Sequence, residues 1–189
     1  MKIQKKKLNG FFEIISEPYI DHRGFMVHLY DEKIFKSFGL NTKWVQEGWS
    51  HTEKKYTIRG LSASRSPFLE GKIVTAIKGE MLWVVVDLRK NSETFGHWES
   101  IVLSGNKNTS IYVKRGFANG CMSLSDNCDL VFLSWNYFSE EHQIGIIWND
   151  PELNIDWNLK DISPIMSEGH RNYATFKEFK EKYGGLDVE

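Results

Sequence analysis

Length, composition and charge limit this chain to a folded globular protein without a strong overall electrostatic field. It has 189 residues, 41% of them hydrophobic and 14% aromatic, which is enough to bury one substantial core. Its 24 basic and 25 acidic residues give a net charge of -1, which argues against a protein that binds nucleic acid or an anionic membrane. Any anionic ligand must therefore be bound by local positive charge.

No segment has the pattern of a signal peptide or a membrane span. The lysine run at residues 5–7 is not followed by an apolar stretch, and no later stretch is apolar for long enough to cross a bilayer. Cys121 and Cys128 belong to no metal-ligand or redox pattern, so buried, reduced thiols are expected. We therefore expect a protein of the cytoplasm.

The order of apolar runs and turn residues predicts a mainly β protein. A short helix is expected over residues 31–38, ending at Gly39. Runs rich in Val, Ile, Phe and Trp predict strands over residues 72–77, 81–88, 109–113, 118–124 and 130–135, with hairpin turns at 78–80 and 125–127. A second helix is expected over residues 174–183, with an aromatic stripe for docking. We predict a single domain over residues 1–189, a β-sandwich or barrel with a few short peripheral helices.

Eight short motifs occur in order along the chain. They lie at residues 21–25, 45–46, 59–61, 71–74, 86–89, 95–98, 116–120 and 148–151. Together they resemble the dTDP-4-dehydrorhamnose 3,5-epimerase family, from about residue 11 to about residue 167. The resemblance implies a cupin-type antiparallel jelly roll, a homodimer, and a nucleoside-diphosphate sugar as ligand in deoxysugar and surface-polysaccharide biosynthesis. No metal or other cofactor is expected, because none of the six histidines forms a His-x-His pair.

The catalytic positions that the resemblance implies hold other residues in this chain. Ser62 stands where the family has the histidine that removes protons beside the sugar ketone, and His170 stands where an aspartate orients that histidine. Phe132 replaces the tyrosine that acts as the acid, while Asn119 and Trp83 replace a further histidine and an aspartate. Because a weak carbon acid needs a base within reach, ordinary 3,5-epimerisation is not expected.

The residues that the resemblance assigns to phosphate and sugar binding are retained. Arg23 and Arg59 correspond to the two phosphate-binding arginines, and two guanidinium groups suit a diphosphate. Lys72 corresponds to the lysine near the sugar carbonyl. The nucleotide-binding residues expected on this basis are Arg23, Phe25, His28, Gln46, Arg59 and Asn119.

Three features of the expected site leave alternatives open. His28 stands where a glutamate of the neighbouring subunit contacts thymine; it either donates to cytosine, which would favour CDP over dTDP, or packs without contacting the base. Ser62 and His170 form either a new couple with His170 as base or a compensating hydrogen bond. Tyr137 supplies either a hydroxyl to the sugar or a wall of the pocket.

Three functions remain compatible with the sequence. The first is an enzyme with an altered site, acting on a CDP- or dTDP-linked 4-keto-6-deoxy or dideoxy sugar through Ser62, Lys72, Tyr137 and His170. The second is a non-catalytic nucleotide-sugar-binding protein that pairs with a pathway enzyme. The third is an ordinary epimerase in which another residue replaces the lost histidine.

Overall fold

The computed structural model describes residues 1–188 and consists mainly of antiparallel strands. The strands are β1 (Lys2–Lys5), β2 (Phe11–Ile15), β3 (Tyr19–Asp21), β4 (Gly24–Met26), β5 (Gln46–Thr52), β6 (Ile58–Ser64), β7 (Lys72–Lys78), β8 (Glu80–Asp87), β9 (Trp98–Ser104), β10 (Thr109–Val113), β11 (Phe117–Ser123), β12 (Cys128–Ser134) and β13 (Gln143–Gly145). The helices are α1 (Glu32–Ser37), α2 (Glu168–Arg171) and α3 (Phe176–Tyr183), with a 3₁₀ turn at Glu140–His142. The prediction of a mainly β fold with a few short helices is confirmed.

Two antiparallel sheets pack face to face. The first has six strands in the order β1-β2-β10-β7-β12-β5, and the second has five in the order β13-β6-β11-β8-β9. Apolar side chains from both inner faces, including Val74 and Ile111 from the first sheet and Val85 from the second, form a central core. Because side chains alternate along a strand, Val84 and Val86 point away from this core and contribute to a second cluster with α3.

Two connections that were predicted as hairpins instead cross from one sheet to the other. Residues 78–80 join β7 to β8, and residues 124–127 join β11 to β12, and each pair of strands is divided between the two sheets. Gly79 has a φ of 72°, and a Cβ at this position would lie 2.6 Å from the Sγ of Cys128, so the two turns pack closely together. The hairpin predictions were wrong because turn residues specify a reversal of direction, whereas distant partners decide which sheet a strand joins.

The helices begin and end at recognisable caps. Asp31 caps α1, and its side chain accepts hydrogen bonds from the backbone N–H groups of Lys33 and Ile34. The helix α3 begins two residues later than predicted, because Thr175 and Glu178 form a capping box. None of the helices within residues 1–188 has the length and hydropathy needed to cross a bilayer.

A buried carboxylate fixes the end of β8. Asp87 is fully buried, and its oxygens accept hydrogen bonds from the Arg89 guanidinium at 2.6 and 2.8 Å. The hydroxyls of Ser92 and Thr94 each donate to it at 2.6 Å. Burial alone would raise the pKa of Asp87, but the hydrogen bonds from Arg89, Ser92 and Thr94 outweigh it and leave the pKa below its usual value.

We expect Asp87→Asn to lower the free energy of unfolding at pH 7 by about 3 kcal/mol, because it leaves the mostly buried Arg89 without its counter-charge. Since the folded pKa is depressed, this stabilisation is present above the unfolded pKa and is lost as the pH falls through the folded pKa. Urea denaturation at a series of pH values measures both effects. Asp21→Asn is a matched control: Asp21 pairs with Arg23 at the same spacing, but on an exposed hairpin. Equal effects of the two substitutions would contradict the prediction.

Both cysteines are buried and free, Cys121 with 4% of its surface exposed and Cys128 with none. Burial raises the pKa of the Cys121 thiol to about 12. We expect neither thiol of the native protein to react with a thiol reagent at pH 8, and both to react once the protein is unfolded. Rapid labelling of one thiol before unfolding would show that this part of the core opens.

Candidate functional site

A cavity of about 390 Å³ lies between the two sheets. The six-stranded sheet contributes side chains from β5, β7 and β12, and the five-stranded sheet contributes side chains from β6, β8 and β11. Six residues that were predicted from the sequence line it: Gln46, Arg59, Ser62, Lys72, Asn119 and His170. The fold thus brings together, around one space, residues that lie more than a hundred positions apart in the sequence.

Four predicted site residues lie outside this cavity in the protomer. Arg23 and Phe25 are on the β3–β4 hairpin, where the Arg23 guanidinium forms an ion pair with Asp21 at 2.6 Å and is 77% exposed. His28 follows this hairpin, beside the start of α1. Tyr137 is 59% exposed, and its neighbour Phe138 lines the cavity instead. A role for these four residues at the cavity would require their delivery from another protomer or a movement of the chain.

Arg59 is positioned at the cavity by neutral oxygen atoms. Its Nε donates to the Thr52 hydroxyl at 3.2 Å, and one terminal nitrogen donates to the carbonyl oxygen of His51 at 2.9 Å. These contacts hold the guanidinium at the junction of β5 and β6 without neutralising its charge. The arrangement suits the binding of a phosphate group.

On the opposite wall, Lys72 forms an ion pair with Glu70. The Lys72 Nζ lies 2.9 Å from a carboxylate oxygen of Glu70, and the side chains are 19% and 25% exposed. The hydroxyl of Ser134 also donates to Glu70. Sequence reasoning missed Glu70, although a carboxylate two positions before Lys72 at the start of a strand is expected to lie on the same face. The cavity is therefore lined by two carboxylates, Glu47 and Glu70, as well as two cations.

The hydrogen bonds of Ser62 and His170 differ from the couple considered from the sequence. The Ser62 hydroxyl lies 3.0 Å from the hydroxyl of Tyr173, and the Nδ1 of His170 accepts a hydrogen bond from the backbone N–H of Gly60 at 3.3 Å. Burial, and then the charge of Arg59, lower the pKa of His170. His170 is therefore neutral at pH 7. Nothing in the sequence indicated Tyr173.

Trp83 and Asn119 are paired with each other, and Phe132 is packed against the chain. The Trp83 indole N–H donates to the side-chain oxygen of Asn119 at 3.4 Å, and the Asn119 amide donates to the carbonyl oxygen of Phe117 at 3.1 Å. The Phe132 ring lies against Gly48, where an added Cβ would be only 2.3 Å from the ring. These side chains shape the cavity, and Asn119 already has partners at both ends of its amide.

A second cavity, of about 610 Å³, lies at one end of the sandwich, where it is lined by Lys43, Lys114, Arg115 and Trp135 among others. Among residues 1–188, its lining includes none of the site residues predicted from the sequence and no carboxylate. We therefore place the functional site in the cavity between the sheets. Within residues 1–188, no group of three or more His, Cys, Asp or Glu side chains is arranged to hold a metal ion.

Comparison with known proteins identifies the family of this chain. A model of the dTDP-4-dehydrorhamnose 3,5-epimerase family matches residues 5–178. The dTDP-4-dehydrorhamnose 3,5-epimerase of Methanothermobacter thermautotrophicus is 37% identical over 175 residues, covering 92% of this chain and 94% of that protein. The crystal structure of the corresponding enzyme from Elizabethkingia anophelis NUHP1 is 34% identical, covers 94% of this chain and 97% of that chain, and has a TM-score of 0.89.

A third relative is a mutant enzyme with a bound nucleotide. It is a double mutant of ChmJ, a 3'-monoepimerase from Streptomyces bikiniensis, in complex with dTDP, and it carries asparagine for one histidine and phenylalanine for one tyrosine. It is 27% identical, covers 98% of this chain and 92% of that chain, and has a TM-score of 0.89. The family match extends beyond the region of resemblance found in the sequence, and includes both sheets and the cavity between them. The chain therefore belongs to the dTDP-4-dehydrorhamnose 3,5-epimerase family of deoxysugar biosynthesis.

Proposed function

We propose that this protein binds a nucleoside-diphosphate-linked 4-keto-6-deoxy or dideoxy sugar in the cavity between the sheets, and that its reaction is not ordinary 3,5-epimerisation. One observation carries the proposal. The cavity retains Arg59 and Lys72, while Ser62 and Phe132 stand at the positions where the family resemblance implies the base and the acid. The dTDP complex of the ChmJ double mutant supports it, because that protein binds nucleotide after loss of a histidine and a tyrosine.

A second candidate function is non-catalytic binding of a nucleotide sugar, or of a partner enzyme from the same pathway. The mutual hydrogen bond of Asn119 and Trp83 favours it, because neither polar group depends on a substrate for a partner. Solvent deuterium distinguishes the two functions. An enzyme that removes a proton beside the ketone exchanges it with solvent, whereas a binding protein does not. In either case we expect the protein to act in the cytoplasm, where nucleotide sugars are made.

We expect Arg59→Ala to weaken dTDP or CDP binding by at least about tenfold, because charge-assisted hydrogen bonds contribute roughly 1.5–3 kcal/mol. Calorimetry measures the affinity directly, and thermal shift follows the stabilisation of the native state by the nucleotide. Arg65→Ala is the control, because Arg65 follows the same strand but binds the carbonyl oxygen of Glu141 outside the cavity. Unchanged binding by the Arg59 variant would contradict the assignment of the phosphate site.

We also propose that the protein is a homodimer in which the β3–β4 hairpin contacts the second protomer. The hairpin forms a two-stranded sheet of its own, with Ile20 71%, Phe25 67% and Tyr19 65% exposed. An isolated hairpin with such side chains in water is marginally stable. The strand β5 offers an edge at the cavity, and its Trp49 is 70% exposed. A second copy covering these surfaces would bring Arg23 and Phe25 towards a neighbouring cavity.

The dimer proposal predicts that Phe25→Asp yields a monomer by light scattering after gel filtration, because it places a charge in an apolar contact. Ile162→Asp serves as the control, since Ile162 is 42% exposed at a loop far from the hairpin in sequence. A dimeric Phe25 variant would contradict the proposed interface.

Mixing two variants that bind nucleotide weakly tests whether each site contains residues from both protomers. If Arg23 acts in the neighbouring cavity, a mixture of Arg23→Ala and Arg59→Ala proteins regains part of the nucleotide binding, because each mixed dimer contains one intact site. If both arginines act within one protomer, the mixture stays as weak as its components. Comparison of CDP with dTDP in the wild-type protein then tests the suggested role of His28.

A further inference from the structure

We propose that Glu70 is the base of this site, and that Ser62 and the neutral imidazole of His170 stabilise the negative charge that forms on the ketone oxygen of the sugar. The inference rests on the proposed function, because it assigns the proton transfer to particular residues of the same cavity. The substrate class is a nucleotide-linked sugar with a ketone beside a carbon that carries hydrogen.

Few side chains that line the cavity can accept a proton. The titratable ones are Glu47, Arg59, Glu70, Lys72, Cys121 and His170. Arg59 is always protonated, and the Lys72 ammonium forms an ion pair with Glu70. The Cys121 thiol is almost completely buried, with its pKa raised to about 12, and therefore remains protonated. Glu47, Glu70 and His170 remain as candidate bases.

His170 accepts a hydrogen bond from the backbone at one ring nitrogen, which leaves the other nitrogen as a donor. A backbone N–H group can only donate, so the Nδ1 of His170 that lies 3.3 Å from the Gly60 nitrogen must present its lone pair. The single proton of the neutral ring is then on Nε2, which can donate to a ligand. The pKa of His170, lowered by burial and then by the charge of Arg59, agrees with a neutral ring.

Ser62 is oriented by Tyr173. In the pairing of β13 with β6, Gly145 lies opposite Ser62, and an added Cβ at Gly145 would come within 2.2 Å of the Tyr173 ring. The missing side chain therefore makes room for Tyr173, whose hydroxyl lies 3.0 Å from that of Ser62. When the Tyr173 hydroxyl donates to Ser62, the Ser62 proton is free to point into the cavity. Tyr173 is in this sense a positioning residue.

Glu70 has the position that a base requires. It comes from the segment that leads into β7, on the six-stranded sheet, whereas Ser62 belongs to the five-stranded sheet. A sugar held between the sheets would meet the carboxylate on one side and the donors on the other. Lys72 contacts one carboxylate oxygen of Glu70, and Ser134 donates to the other. Each oxygen has a further lone pair that can accept a proton. Glu47 lacks such support, because it is exposed on the edge strand β5.

The proton transfer balances without a further reagent. The C–H bond beside the ketone breaks, its proton moves to the Glu70 carboxylate, and its electron pair forms a carbon–carbon double bond. The carbonyl electron pair moves to oxygen, where His170 and Ser62 donate hydrogen bonds. Return of a proton from Glu70 to carbon restores a ketone. A carboxylate base opposite a neutral histidine donor is a known arrangement for enolising a ketone, as in triosephosphate isomerase.

The test follows deuterium incorporation from D₂O into dTDP- and CDP-4-keto-6-deoxyglucose by NMR. We expect the wild-type protein to exchange hydrogen at one carbon beside the ketone, and Glu70→Gln to slow exchange by about a hundredfold or more, as is typical for loss of a general base. Nucleotide affinity of this variant should remain within about twofold, because the diphosphate is assigned to Arg59. Glu70→Asp should retain measurable exchange because it keeps a carboxylate. It therefore shows whether a change at this position impairs folding rather than proton transfer.

Glu13→Gln is a matched control, because Glu13 forms a similarly half-buried ion pair with Lys6, at 3.3 Å, away from the cavity. Its exchange rate should equal that of the wild type. Exchange by Glu70→Gln at the wild-type rate, loss of exchange in Glu47→Gln alone, or nucleotide binding by the wild type without any exchange would each overturn the assignment of Glu70. Failure of the wild type to bind either nucleotide sugar would instead overturn the proposed function, and the inference with it.

The donor role of His170 has its own measurement. The ¹⁵N chemical shifts of the imidazole at pH 7 should show a neutral ring protonated on Nε2. A ring protonated on Nδ1, or on both nitrogens, would overturn this part of the inference.

Discussion

The face-to-face packing of two antiparallel sheets is the constraint on which the site depends. Along each strand, alternate side chains point into the space between the sheets or away from it. In most of that space the inward side chains are apolar, but around the cavity many of them are polar. Lys72 and Ser62 therefore face a common cavity although they belong to different sheets. The two tight crossings at residues 78–80 and 124–127 fix this arrangement, since each carries the chain from one sheet to the other.

Within the cavity, several polar side chains form a consistent set of contacts. Ser62 pairs with Tyr173, His170 accepts from a backbone N–H, and Trp83 donates to Asn119. A buried polar group without a partner costs free energy, so each of these side chains is stabilised by the partner that it has. Arg59, Lys72 and Glu70 also line the cavity, and their charged groups can contact a ligand. This combination is the basis on which we propose altered chemistry at a nucleotide-sugar site.

The sequence allowed the mainly β fold and most strand positions to be predicted, because alternating apolar runs and turn residues are local signals. It did not reveal which strands pair: the turn at Gly79 has a hairpin signature, yet its strands join different sheets. The family motifs located Arg59, Lys72 and His170 at one cavity. The contact between Ser62 and Tyr173 could not be predicted, because it joins residues 111 positions apart and depends on a glycine in a third segment.

A crystal structure with bound dTDP would test the account most directly. It should place the diphosphate against Arg59 at the rim of the cavity between the sheets, with the phosphate chain leading towards Lys72 and Ser62. Nucleotide bound in the other cavity, against Lys114 and Arg115, or bound between the sheets without contact to Arg59, would contradict the assignment of the site.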